Sequence, residues 1–88
     1  MKVYYQKRFL KDLARIPSKT RNQIEKFVFE EAPSFDSISD YHKIESMRGY
    51  PTYYKIRFGL YRVGLQKDKD SLIFIRALHR KEIYRYFP

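Results

Sequence analysis

The sequence predicts an α+β fold, in which an N-terminal helical hairpin packs on one face of a mostly antiparallel β-sheet and a short C-terminal tail or helical turn follows. Two observations carry this prediction: apolar residues recur at helical spacing in the first third of the chain, and they alternate with polar residues in the second half. The length of 88 residues leaves room for one small domain, residues 1–88.

The first third predicts a short strand and two helices. Residues 2–5 (KVYY) form the strand, and the next segment carries an apolar stripe at helical spacing: Phe9, Leu10, Leu13 and Ile16. Pro17 ends that helix, and Ser18 is a plausible N-cap for the second. The stripe of the second helix is Ile24, Phe27 and Val28.

The rest of the chain predicts a loop and then strands. The segment 31–41 (EAPSFDSISDY) has no period and is rich in turn-forming residues. Strands are expected over 42–47, 54–58, 61–65 and 71–78, with a polar turn over 66–70. The tail HRKEIYRYFP, from residue 79, completes the domain.

The stretch YKIRFGLYR, residues 54–62, places like charges together. If Gly59 and Leu60 form a two-residue hairpin loop, Arg57 lies directly opposite Arg62 on one face of the sheet. Like charges opposite each other oppose folding, so the arrangement predicts a site for an anion. We expect further cations on the same face: Lys55, Arg76 and Arg80.

Charge and composition limit the function. The chain has 19 Lys and Arg against 10 Asp and Glu, a net charge of +9, which favours RNA, DNA, anionic lipid or an acidic protein as the partner. There is no cysteine, and the N-terminal apolar run is too short for a signal peptide or a membrane span. These features predict a soluble cytoplasmic protein.

The residues near the basic cluster suit RNA cleavage through the 2′-hydroxyl. That reaction needs a proton acceptor, a proton donor and cations that stabilise charge on the phosphate. Lys55, His79 and Tyr84 are the candidate proton-transfer groups, and the sequence leaves open which one is the base. There is no paired-histidine or glycine-rich phosphate motif, so no metal or nucleotide cofactor is expected.

The last strand predicts a partner surface because both of its sides are partly apolar. Ile73, Ile75 and Ala77 share one side, and the other carries Leu72, Phe74, Arg76 and Leu78. We expect an acidic partner, encoded by an adjacent gene, whose amphipathic segment covers the exposed apolar residues: Leu72, Phe74 or Leu78.

The pattern MRG (47–49), YKIRFGLYRV (54–63) and HRKEIY (79–84) resembles the RelE/ParE superfamily of toxins from type II toxin–antitoxin systems. The RelE branch implies a ribosome-dependent endoribonuclease that cuts mRNA in the A site, inhibits translation and is silenced by a bound antitoxin. By position, the resemblance implies this set of site residues: Lys55, Arg57, Arg62, His79, Arg80 and Tyr84. Leu60 departs from the pattern, since many relatives carry an acidic turn residue there.

Two alternatives stay open at this point. The ParE branch shares the fold but acts on DNA gyrase, and a noncatalytic basic module would bind RNA without cutting it.

Overall fold

The computed structural model describes all residues 1–88 and has three helices and one five-stranded sheet. The helices are α1 (Lys7–Ala14), α2 (Ser18–Glu25) and α3 (Ile83–Tyr86). The strands are β1 (Lys2–Tyr5), β2 (Glu45–Met47), β3 (Tyr50–Phe58), β4 (Tyr61–Asp68) and β5 (Ser71–His79). The strand order is β1-β5-β4-β3-β2, antiparallel except for the parallel pair β1 and β5. The predicted α+β class is confirmed.

The helical hairpin buries its predicted stripes against the sheet. The buried residues are Phe9, Leu13, Ile16, Ile24, Phe27 and Val28. Leu10 is 44% exposed, so it lies outside the stripe. Pro17, rather than Ser18, occupies the N-cap position of α2, and no side chain caps that helix. The chain continues from α2 through a π-helical turn, Lys26–Glu31.

Strand β5 contains a β-bulge that changes which residues face the helices. Leu65 pairs with Phe74, but Gly64 pairs with Arg76, so Ile75 is the extra residue. Residues after the bulge therefore face opposite to the simple alternation: Ala77 joins the core under the helices, and Leu78 packs on the other face.

The predicted partner surface on β5 is wrong for two of its three residues. Leu72 and Phe74 are fully buried beneath the helices, where the ring of Phe74 lies 5.5 Å from that of Phe9. Only Leu78 keeps partial exposure. The strand prediction identified an apolar side but assigned that side to the surface, because the sequence does not show on which face the helices pack.

The second face of the sheet is partly covered by the C-terminal tail. Ile83 and Phe87 are buried there beside Met47, and Leu78 packs against them. Phe87 lies so close to the backbone of β4 that a Cβ atom on Gly64 would approach its ring to 2.6 Å. Glycine at position 64 therefore lets the tail close onto the sheet. No helix is long and apolar enough to cross a membrane.

The strand expected over 42–47 is shorter than predicted. Its first residues instead form a tight turn, in which the Ile44 N–H donates to the Tyr41 carbonyl at 3.1 Å. Pairing with β3 begins only at Glu45. The preceding loop contains two short 3₁₀ turns, Ala32–Ser34 and Ile38–Asp40.

Candidate catalytic site

The hairpin of β3 and β4 places Arg57 directly opposite Arg62, as predicted. Gly59 has φ +58°, the left-handed conformation that the first residue of this tight turn requires, and Phe58 pairs with Tyr61 across it. The alternation of the two strands sends their apolar side chains into the core, so both guanidinium groups lie on the face away from the helices.

The arginines line a small pocket of about 170 Å³. Its walls are Glu45, Lys55, Arg57, Arg62 and Tyr84. Lys55 lies two residues before Arg57 on β3, Glu45 pairs with Lys55 from the edge strand β2, and Tyr84 comes from α3. Three cations thus share one pocket with a single carboxylate and a phenol.

The C-terminal tail carries Tyr84 to the pocket. Ile83, the preceding residue, is fully buried against the sheet and anchors the short helix. The Lys55 ammonium donates a hydrogen bond to the Tyr84 hydroxyl and also lies 4.9 Å from the centre of the ring. Tyr84 is nevertheless 61% exposed, so its hydroxyl is open to solvent and to a ligand.

Most hydrogen-bond donors of the two arginines have no protein partner. Arg62 Nη1 donates to the carbonyls of Gly59 at 2.9 Å and Tyr61 at 3.0 Å, which fixes the side chain near the turn. Its Nε and Nη2 groups have no hydrogen-bond partner, and Arg57 has neither a hydrogen bond nor an ion pair. Unpaired guanidinium donors that converge in one pocket are suited to bind a phosphate.

His79 does not join this pocket, although the sequence analysis grouped it with the arginines. It pairs with Tyr61 across β4 and β5, with the two rings 5.5 Å apart, and so lies on the helix side of the sheet. Its Nδ1 accepts from the Lys81 N–H at 3.2 Å. His79 lines a separate cavity of about 460 Å³ that also includes Asp12.

Arg80 follows at the same end of the sheet as the hairpin turn. Its backbone N–H donates to the Leu60 carbonyl at 2.7 Å, which ties the end of β5 to the turn between β3 and β4. The side chain is exposed and has no hydrogen bond or ion pair. Arg80 therefore adds positive charge beside the turn without lining the pocket itself.

Arg76 has a different environment from the one that the sequence analysis assigned. It pairs with Gly64, and its guanidinium runs to the sheet edge, where it donates to Asp12 through Nε at 2.8 Å and Nη2 at 3.2 Å. The hydrogen bond to Asp12 raises the pKa of Arg76. Because Asp12 accepts two hydrogen bonds from this guanidinium, Arg76 lies apart from the basic pocket with which it was predicted to share a face, and RNA binding by Arg76 stays a prediction.

The sequence also matches a known toxin family. The profile described as "ParE toxin of type II toxin-antitoxin system, parDE" matches residues 3–84, nearly the whole chain. The chain belongs to this toxin family.

Relatives of this toxin confirm the resemblance to the RelE/ParE superfamily. The toxin is 45% identical to Toxin RelE3 of Methanocaldococcus jannaschii, over all of both chains. Its fold matches the RelB–RelE antitoxin–toxin complex from Methanococcus jannaschii with a TM-score of 0.81 and 41% identity, covering 97% of this chain and 99% of that one. The isolated Escherichia coli RelE toxin matches with a TM-score of 0.67 and 26% identity, covering 96% and 90%.

Glu45 is the site residue of this toxin that the sequence analysis missed. It is the only carboxylate that lines the pocket, and it enters because β2 pairs with β3 in the register Glu45 to Lys55. The pattern MRGYP marks a turn between the two strands, but pairing backward from Met47 and Tyr50 would set residue 45 opposite residue 52 rather than residue 55. The bulge between Ser46 and Met47 makes that count unreliable without a structure.

Proposed function

We propose that this toxin is an endoribonuclease that cuts mRNA on the ribosome and thereby inhibits translation, and that an antitoxin neutralises it. The pocket of Arg57, Arg62, Lys55, Tyr84 and Glu45 carries the proposal, because it combines unpaired guanidinium donors with groups that can transfer protons. The RelE names of its relatives support the same activity.

The proposed reaction uses the RNA's own 2′-hydroxyl as the nucleophile. The 2′-oxygen attacks the adjacent phosphorus, the bond to the 5′-oxygen of the next nucleotide breaks, and the products are a 2′,3′-cyclic phosphate and a 5′-hydroxyl. Glu45 accepts the proton of the 2′-hydroxyl, and the Tyr84 hydroxyl, held by Lys55, gives a proton to the departing 5′-oxygen. Water then takes up the proton from Glu45 and returns one to Tyr84, so both groups regain their starting forms.

Arg57 and Arg62 stabilise the charge that builds on the phosphate in the transition state. They face each other across the hairpin, so a phosphate in the pocket can accept hydrogen bonds from both. Arg80, exposed at the same end of the sheet, contributes to the field that draws the RNA backbone toward the pocket. His79 has no role in this proposal, because it lies on the opposite face.

The shape of the pocket supports a role for the ribosome in positioning the mRNA. The pocket is small and open, and Glu45, Arg57 and Tyr84 are all exposed, so we expect the pocket alone to hold an RNA strand only loosely in the geometry for in-line attack. Positioning of the two reacting atoms contributes about 7 to 11 kcal/mol to many reactions. We expect mRNA fixed in the ribosome to be cut rapidly and free RNA to be cut poorly.

The antitoxin is proposed to be an acidic protein encoded by an adjacent gene. The net charge of +9 and the unpaired cations of the pocket favour an acidic partner. Structures of relatives are described as RelB–RelE complexes, which supports a protein of the RelB kind in this role. Leu78 is the one predicted contact residue that retains surface, and the antitoxin is expected to reach it beside the tail.

Cleavage of mRNA is tested by expressing the toxin without its partner and mapping the 5′ ends of cellular mRNA. The same protein is then added to ribosomes programmed with an mRNA that carries a 2′-deoxynucleotide at the mapped cut. We expect cleavage of the natural mRNA and none of the deoxy substrate. Equal cleavage of both substrates would exclude the 2′-hydroxyl mechanism, and intact mRNA in growth-arrested cells would exclude the RNase.

A second candidate is inhibition of DNA gyrase. The matching profile bears the ParE name, which favours this alternative. Damaged DNA together with intact mRNA after expression would establish it in place of the RNase. Harmless expression with salt-sensitive RNA binding would instead indicate a noncatalytic RNA-binding module.

A further inference from the structure

A second cavity, of about 430 Å³, adjoins the catalytic pocket. Glu45 and Arg57 line both cavities and so form the wall between them. The other walls of the second cavity are His42, Lys43 and Gly59. The catalytic pocket has a volume suited to a phosphate group, whereas 430 Å³ falls in the range of sites for small organic ligands, about 300 to 1,000 Å³.

The turn that carries His42 and Lys43 is held in place by the core. These two residues are the middle positions of the turn closed by the hydrogen bond from the Ile44 N–H to the Tyr41 carbonyl. The ring of Tyr41 packs against Phe27, with the ring centres 4.5 Å apart. His42 and Lys43 are exposed, but the backbone that presents them is anchored, so binding needs to order their side chains and not the turn itself.

The lining chemistry suits one nucleotide of single-stranded RNA. An imidazole ring offers a surface on which an unpaired base can stack, and a lysine offers a charge for a phosphate. Gly59, which has no side chain, leaves open space at the rim of the cavity. Arg57 faces both cavities, so it lies between the reacting phosphate and the neighbouring nucleotide.

We propose that the cavity of His42, Lys43 and Arg57 binds the RNA nucleotide next to the cleaved phosphate, with its base on His42 and its outer phosphate on Lys43. The inference rests on the proposed function, since it extends the same RNA strand out of the catalytic pocket. It assigns to the turn a role in binding and positioning the substrate, not in the chemical step.

The test measures binding without cleavage. A fluorescein-labelled hexanucleotide of 2′-O-methyl RNA, which has no free 2′-hydroxyl to react, is titrated with the toxin at several salt concentrations. His42→Ala should weaken binding on the order of tenfold and His42→Phe should restore it, because phenylalanine keeps the stacking surface. Lys43→Gln should lower the slope of log affinity against log salt by about 0.7, the loss of one phosphate contact.

Lys19→Gln is the matched control. Lys19 is exposed on α2 and lines neither cavity, so this variant removes one positive charge without touching the proposed site. It should leave affinity for the hexanucleotide and the salt slope unchanged.

On programmed ribosomes, His42→Ala should raise KM more than it lowers kcat, as expected for a residue that binds substrate.

The outcomes separate this inference from the proposed function. Unchanged hexanucleotide binding by His42→Ala and Lys43→Gln would overturn the second site even if the wild-type toxin cuts mRNA. A wild-type toxin that never cuts mRNA, while both variants lose affinity, would overturn the RNase and leave the RNA-binding site standing. If His42→Ala and Lys43→Gln weaken antitoxin binding but leave RNA binding unchanged, the turn is part of a protein interface and the RNA site is overturned.

Discussion

Two regions of the toxin that contain arginines differ in whether the guanidinium groups have a partner within the protein. At the sheet edge, Arg76 donates two hydrogen bonds to Asp12, and the two side chains are only 15% and 9% exposed. In the hairpin, Arg57 and Arg62 face each other with no carboxylate within ion-pair distance. The difference teaches that position on the sheet does not decide the role of an arginine here. What decides it is whether its donors are already satisfied within the protein.

The physical cost of disturbing each region follows from that difference. Breaking a buried ion pair by removing one partner costs about 3 to 5 kcal/mol of stability, because the other charge is left unpaired. An opposed pair of like charges on a sheet instead costs the folded protein about 0.2 to 1 kcal/mol while it is present. Removing one member of the first pair is therefore expected to destabilise the fold strongly, whereas removing one member of the second is not.

The largest effect is expected from Asp12→Ala. This change leaves Arg76 unpaired and also removes the acceptor for the Ala77 N–H, which donates to Asp12 at 3.0 Å. We expect a loss of about 3 to 5 kcal/mol and a fall in melting temperature of more than about 10 °C, measured by thermal and urea unfolding.

Two controls accompany the Asp12 variant. Asp12→Asn keeps an oxygen acceptor for Ala77 and should lose less stability. Asp68→Ala removes an exposed carboxylate that has no hydrogen bond and should change stability by less than about 0.5 kcal/mol. An Asp12→Ala protein that melts like wild type would show that this ion pair contributes nothing to the fold.

The second-largest effect is expected from Arg62→Gln, which should lower the cleavage rate and not the stability. Loss of one donor to the transition state should lower kcat about 100- to 1,000-fold in a cleavage assay on programmed ribosomes. Stability should change little, because relief of the like-charge pair with Arg57 offsets the loss of the hydrogen bonds from Arg62 to the Gly59 and Tyr61 carbonyls. A variant that melts much earlier than wild type would make Arg62 structural, and a folded and fully active variant would remove it from the site.

A smaller effect, on both properties together, is expected from Gly64→Ala. The added Cβ would lie 2.6 Å from ring atoms of Phe87, and overpacking of this kind costs about 1 to 3 kcal/mol. Displacing Phe87 also shifts the tail that carries Tyr84, so cleavage should fall. In the double variant Gly64→Ala/Phe87→Leu, the loss of stability should be smaller than the sum of the losses in the two single variants. Urea unfolding measures all three losses. Simple additivity would mean that the two residues do not touch.

The smallest effect on stability is expected when two tyrosines with different surroundings are compared. Tyr5 donates to the Val28 carbonyl at 2.6 Å, and burial raises its pKa above 10.0, whereas Tyr84 is exposed in the pocket. At pH 7.5, Tyr5→Phe should cost about 1 kcal/mol through the lost hydrogen bond. Tyr84→Phe should cost little stability but should lower cleavage.

The pH dependence of Tyr5→Phe has a definite sign. Because the folded-state pKa of Tyr5 lies above the unfolded value, its contribution is fully present below pH 10.0 and is lost as the pH rises through the folded pKa. The stability difference between wild type and Tyr5→Phe should therefore narrow as the pH rises above 10.0 in urea unfolding. A constant difference would show that the Tyr5 hydroxyl does not ionise unfavourably in the folded protein.

Local features of the fold were predictable from the sequence. The opposition of Arg57 and Arg62 followed from a two-residue turn, since such a turn determines the register of its own hairpin. The apolar stripes of the two helices were also predictable, because they depend only on residues that are close together in the chain. The bulge at Ile75 was not visible, because it depends on how β5 pairs with β4. That single extra residue places Leu78 on the opposite face from Leu72 and Phe74, although simple alternation puts all three on one face.

Contacts between distant segments explain the other differences in the site. Asp12 and Arg76 are 64 residues apart in the chain, and nothing near either residue indicates the pair. Glu45 enters the pocket through the register of an edge strand only three residues long. Residue type thus identified the cations, whereas only the folded chain shows which cation has an internal partner.

The short first strand has a consequence for how the toxin behaves at high concentration. β1 pairs with β5 only as far as Phe74, so the rest of that edge of β5 has no neighbouring strand. An unpaired strand edge invites another chain to add to it, which is a common route to aggregation. The Asp12 carboxylate accepts a hydrogen bond from the Ala77 N–H on this edge. It also places a negative charge where an incoming strand would pair. We therefore expect the side chain that pairs with Arg76 also to oppose edge-to-edge association of toxin molecules.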